Sequence, residues 1–130
     1  IKVSNRQTID SETDTIEETA YGNYTEKNGK QYITYKTEND GDKISSMIKI
    51  DGNEILIKRT GSVNSSMTYK VDTKKEFLYH LPYGTVPMEI ETQRIVSKLD
   101  ENGGTIELVY TLMVQGEKYF NDMKITVSKR

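Results

Sequence analysis

An arginine ends an aliphatic strand in the stretch ILIKRTGSVNSSM (55–67), and small polar residues follow it. Alternation puts Arg59 on the same face as Ile55 and Ile57, the face a sheet buries. A guanidinium stays charged, so placing it there is costly unless it is paired. Its planar fork suits two-point recognition of a carboxylate or phosphate. Three arrangements meet that demand: the head group of a small ligand, an internal ion pair with Glu18, or a seat at the mouth of a barrel with the head in water. Tyr24, Tyr35, Tyr69 and Tyr110 are positioned to line the apolar remainder of a ligand site.

His80, in YHLPYG (79–84), is the single histidine. An imidazole near neutral pKa is a natural acid–base group. With Arg59 as electrostatic stabiliser it would serve hydrolysis or isomerisation of an anionic substrate. No glycine-rich phosphate loop, zinc spacing or nucleophile elbow accompanies it. A strand-end histidine bonded to backbone or solvent is the expectation, so no catalytic residue, metal ligand or cofactor is assigned. Pro82 and Pro87 interrupt a ladder, and Tyr83-Gly84 reads as a rim turn. The candidate ligand-binding set is therefore Arg59, Asn64, His80 and Tyr83 at the rim, together with Tyr69 and Glu18.

Hairpins must position these residues. Turn signals at Asn28-Gly29, Asp40-Gly41, Gly52-Asn53, Asn102-Gly103 and Gly116-Glu117 separate alternating segments. About ten strands of this kind in one domain, residues 1–130, predict a closed barrel or tightly curled sandwich, because a flat sheet would expose its edges. Counting outward from the turns pairs Ile50 with Ile55, Ile48 with Ile57 and Ser46 with Arg59, and likewise Tyr24 with Ile33 and Gly22 with Tyr35. The same count sets Leu99 against Ile106, Ser97 against Leu108 and Ile95 against Tyr110. It also sets Val114 against Tyr119, Leu112 against Asn121, Tyr110 against Met123, Leu108 against Ile125 and Ile106 against Val127. Both of these hairpins point Ile106, Leu108 and Tyr110 inward.

The interior then receives Glu18, Ser46, Arg59, Ser97 and Asn121, and alternation adds Asn5, Gln7 and Ser65. Each such group needs a partner or water. On the solvent face, Lys98 is expected opposite Glu107 and Thr111 opposite Asp122. Two outward apolar pairs, Val96 with Val109 and Met113 with Phe120, are either shielded cross-strand contacts or an interface for a homodimer or partner.

Composition narrows the classes. The net charge of −2 has no basic block, which argues against nucleic-acid binding. No stretch approaches the roughly 18 apolar residues of a membrane span. The chain has no cysteine, so thiol chemistry and disulfides are excluded, and a cytoplasmic location is expected. Nine tyrosines against two phenylalanines mean that buried aromatics carry hydroxyls.

The segments IKRTGSVNSSMTY (57–69), FLYHLPYGT (77–85) and KLDENGGTIELVYTL (98–112) resemble the YwiB-like family of uncharacterised bacterial β-barrel proteins. The layout is similar over nearly the whole chain, including GNYTEKNGKQYITY (22–35). Where that family often has Thr before Pro-Tyr-Gly, this chain has Leu81. The resemblance implies a closed, antiparallel, up-and-down calycin-like (lipocalin-like) barrel of about eight to ten strands. It brings no assigned activity, cofactor or catalytic residue. Barrels of this kind often hold small apolar or amphipathic ligands, so the expected partner is a small anionic or amphipathic molecule. The alternative is an interaction module acting through the outer patch.

Overall fold

The computed structural model describes residues 2–9, 14–39, 41–62, 64–81 and 83–129. They form ten antiparallel strands: β1 (Lys2–Ile9), β2 (Asp14–Lys27), β3 (Lys30–Asn39), β4 (Asp42–Asp51), β5 (Glu54–Gly61), β6 (Ser65–Lys70), β7 (Lys74–Leu81), β8 (Gly84–Asp100), β9 (Gly103–Val114) and β10 (Glu117–Ser128). The sheet runs β6-β5-β4-β3-β2-β1-β10-β9-β8-β7 and curls into a nearly closed barrel. Among the described residues no helix is long and apolar enough to cross a membrane.

Closure fails at one seam, between β6 and β7, which no ladder joins among the described residues. The connector explains why. Asp72 takes a left-handed φ of 60°, its N–H donates to Thr92 O at 3.0 Å, and Val71 bridges Thr92 in parallel. The chain between the two strands is thus pinned to β8 at Thr92.

A second opening arises in β2, which changes partner along its length. Asp14–Tyr21 pairs with β1, whereas Gly22–Lys27 pairs with β3. Gly22 is the reason the two ladders can meet. A Cβ there would lie 2.0 Å from Thr34 O and 2.9 Å from Tyr35 Cβ, so only glycine permits that approach. The barrel therefore has two walls. One is β3–β6 with the lower half of β2, and the other is β7–β10 with β1 and the upper half of β2.

Cross-strand rows layer the first wall. Gln31, Ile50, Ile55 and Tyr69 form the lowest row, Ile33, Ile48, Ile57 and Met67 the next, and Tyr35, Ser46, Arg59 and Ser65 the third. The two lower rows are packed against Ile90, Ile106, Leu108, Ile125 and Val127 of the other wall. Tyr69 meets Tyr110 edge to face with ring centroids 4.8 Å apart. Gln31 Nε2 donates to Leu99 O at 2.7 Å and to Tyr24 Oη at 3.0 Å, tying the walls together at the bottom. The lower interior is thus filled by side chains.

The hairpins at Asn28-Gly29 and Gly52-Asn53 have the expected registers, and Ile106, Leu108 and Tyr110 are all buried. The other two hairpins are each displaced by two residues. Asp100 Oδ1 accepts the Asn102 N–H at 2.8 Å, so the turn is Glu101-Asn102 and Gly103 opens β9. Leu99 accordingly faces Gly104, Ser97 faces Ile106, Ile95 faces Leu108 and Lys98 faces Thr105. In the last hairpin Gln115 and Gly116 both take positive φ, the two-residue turn of opposite twist, so Tyr119 faces Leu112, Asn121 faces Tyr110 and Met123 faces Leu108. Ile125 then faces Ile106, and Val127 faces Gly104. A shift of two keeps each side chain on its own face.

The outer pairings do change. Val96 lies opposite Glu107, Val109 opposite Arg94 and Asp122, Met113 opposite Glu89 and Lys118, and Phe120 opposite Thr111. None of the four apolar residues is thus directly paired with another, and Met113 lies only diagonal to Phe120. Ser97 is also corrected: it is exposed, because the β7 ladder ends at Glu91 and leaves this part of β8 without a neighbour on that side.

Candidate functional site

The third row of the β3–β6 wall contains the site. Alternation that buries Ile57 and Met67 one step lower also turns Arg59 and Ser65 inward, on neighbouring strands. Ser46 and Tyr35 continue the row on β4 and β3. Ser46, Ser65 and Tyr35 are buried; the Ser65 hydroxyl has no hydrogen-bond partner in the protein, whereas the Tyr35 phenol lies within reach of Ser46 and Arg59. Arg59 is half-buried.

A surface cleft lies behind one end of this row, and a pocket at the seam meets the other. Where β2 leaves β3, a cleft of about 460 Å³ is lined by residues including Tyr21, Gly22, Tyr35, Ser46 and Met47. At the β6–β7 seam, a pocket of about 420 Å³ is lined by Arg59, Asn64, Ser65, Phe77 and Leu78 together with Lys58, Thr60 and Ser66. The seam pocket combines cations and hydroxyls with two large apolar side chains, and Leu78 is 54% exposed.

The electrostatics centre on Arg59. Burial pushes the Tyr35 phenol above its ordinary value, and the Glu18 carboxylate adds to that rise; Arg59 and Ser46, close by, pull the other way. Burial raises Tyr69 well above the ordinary value, with Tyr110 reinforcing the rise, and raises Tyr110 less far. The guanidinium acts to lower both. The charge of Arg59 thus acts on Tyr35 in its own row and on Tyr69 and Tyr110 deeper in the interior. Arg59 and Glu18 make no ion pair; those resolved among the described residues, Lys30–Asp51 and Lys74–Glu91, lie elsewhere.

The structure brings Arg59 and Asn64 together in the seam pocket. Tyr69 lies two rows lower in the packed core, and Glu18 lies on the upper part of β2. Tyr83 is 87% exposed and does not line the pocket, so the expected rim cluster is not assembled around it. The His80 backbone pairs with Thr85, but the side chains of His80 and Gln7 lie outside the described residues. Phe77 and Leu78 were missed, because no turn type assigned a register to β7. Among the described residues no cluster of three His, Asp or Glu could hold a metal ion.

The family model described as "Domain of unknown function (DUF1934)" matches residues 1–127. The chain belongs to the DUF1934 family. Within that comparison, this DUF1934 chain is 29% identical over 118 residues to the "Uncharacterized beta-barrel protein YwiB" of Bacillus subtilis (strain 168), covering 90% of this chain and 83% of the relative. The crystal structure of the ywiB protein from Bacillus subtilis superposes with a TM-score of 0.90 at 25% identity, covering 99% of this chain and 90% of that one. The DUF1934 chain thus shares the barrel of that relative, and the layout expected from the three sequence segments is borne out.

Proposed function

We propose that the protein binds a small anionic or amphipathic molecule, without covalent chemistry, at the mouth of the barrel. One observation carries the reading. The row Tyr35–Ser46–Arg59–Ser65 offers a cation and three buried hydroxyls, and its Arg59–Ser65 end borders a pocket that Phe77 and Leu78 also line. A carboxylate or phosphate would take the guanidinium fork and a serine hydroxyl. A short apolar remainder would lie over Phe77 and Leu78, since the lower interior has no space for it. Kinship with calycin-like barrels and a cytoplasmic setting belong to the same proposal.

Calorimetric titration with octanoate and with hexyl phosphate tests it. Arg59→Ala should lose about 1.5–3 kcal/mol of binding, the worth of a hydrogen bond to a charged group. Unchanged affinity would remove Arg59 from the site. Silence from the wild-type protein towards both probes would contradict the reading.

A second reading rests on Phe120, which is 62% exposed on the outer face near Met113. Self-association through this face would appear as concentration-dependent mass in sedimentation, weakened by Phe120→Lys with Met113→Glu. A monomer at all working concentrations would remove the homodimer.

A further inference from the structure

The wall opposite Arg59 carries a complementary demand. β1 and the upper part of β2 place Asn5 directly beside Glu18, on the face that also buries Val3 and Ala20. Asn5 Oδ1 and Glu18 Oε1 are both buried, and neither finds a donor in the protein. An acceptor left this way costs about 1–3 kcal/mol, and more when it is charged. Two adjacent ones are best met by a single group that carries several N–H bonds. Arg59 does not meet the need, because it makes no ion pair with Glu18. Yet the two groups belong to one interior face: Glu18, Ala20 and Gly22 alternate inward along β2, and Gly22 opens the row Tyr35, Ser46, Arg59.

The chemistry required on the two walls is opposite in sign. Beside Glu18 and Asn5 the missing partner is a cationic donor. Beside Arg59, Ser46 and Ser65 it is an anionic acceptor. A fatty acid would meet only the second demand, and an inorganic anion likewise.

We infer that the ligand is a small zwitterion, with a primary ammonium held by Glu18 and Asn5 and a carboxylate or phosphate held by Arg59. This rests on the anion site proposed above and adds the class of its ligand. Charge neutrality of the guest matches a site with one cation and one anion.

The test is calorimetric titration of the whole protein with amino carboxylates of increasing length, from glycine to 6-aminohexanoate, against hexanoate and hexylamine. One member of the series should bind about tenfold or more tighter than hexanoate, a difference of about 1.4 kcal/mol. Glu18→Gln should abolish the advantage of that member over hexanoate. If Glu18→Gln does not fold, the N-trimethylated form of the same probe, which keeps its charge but has no N–H, should lose the advantage on the wild-type protein. Hexanoate binding as tightly as every amino carboxylate would overturn the zwitterion and leave the anion site standing. No binding of hexanoate or of any amino carboxylate would overturn both, and water alone would then satisfy the interior groups.

Discussion

Arg59 holds its position through the same alternation that buries the isoleucines before it, and this was legible from ILIKR alone. What alternation could not give was its company. The internal ion pair with Glu18 is absent, and Tyr35 shares the row of the cation instead. Side-chain reach across a barrel depends on strand tilt and splay, which local spacing does not encode. The tyrosines also set a pH dependence. Tyr35, Tyr69 and Tyr110 all have raised pKa values in the folded state, chiefly through burial. A raised phenol contributes stability that is fully present below its unfolded value of about 10 and is lost as pH rises through the folded value. The melting temperature should therefore fall above about pH 10 on their account, and Tyr69→Phe should make that fall shallower. A decline of equal steepness in Tyr69→Phe would show that its ionisation does not drive it.

At the scale of elements, Gly22 decides how the walls meet. Gly22→Ala forces a Cβ against Thr34 O, a backbone atom that can yield only if the β2–β3 ladder shifts. Such overpacking costs about 1–3 kcal/mol, to be read as a lower midpoint in urea. An unaltered midpoint would mean that the bend does not depend on that contact. The sequence pointed to Gly22 as the partner of Tyr35, but a strand that changes neighbours midway has no local signature. The hairpins teach a similar lesson. Asn28-Gly29 and Gly52-Asn53 occupy their turns as their types suggest, whereas at Asn102-Gly103 the Asp100 side chain moves the turn back and leaves glycine in the strand. Faces survived this displacement and partners did not, so the outer apolar pairs were misjudged while the core was not.

For the molecule as a whole, the ten-stranded count and the antiparallel barrel followed from the rhythm of turns, and the seam did not. Nothing in VDT (71–73) announces that the Asp72 N–H will donate to Thr92 O on β8. The free edges make a dynamic prediction. Amide exchange in β6 and β7 should be faster than in β9 and β10, which are paired on both sides; equal protection throughout would mean that the seam is closed in solution. The same seam gives access to Arg59, so binding and incomplete closure are two aspects of one architecture. Native mass spectrometry of the protein purified gently from its own host, beside the denatured mass of the same sample, tests the central claim most directly. The account predicts a small stoichiometric excess that vanishes on denaturation and is missing from Arg59→Ala. An excess retained by Arg59→Ala, or a bare mass from wild-type protein prepared without dilution or prolonged washing, would contradict it.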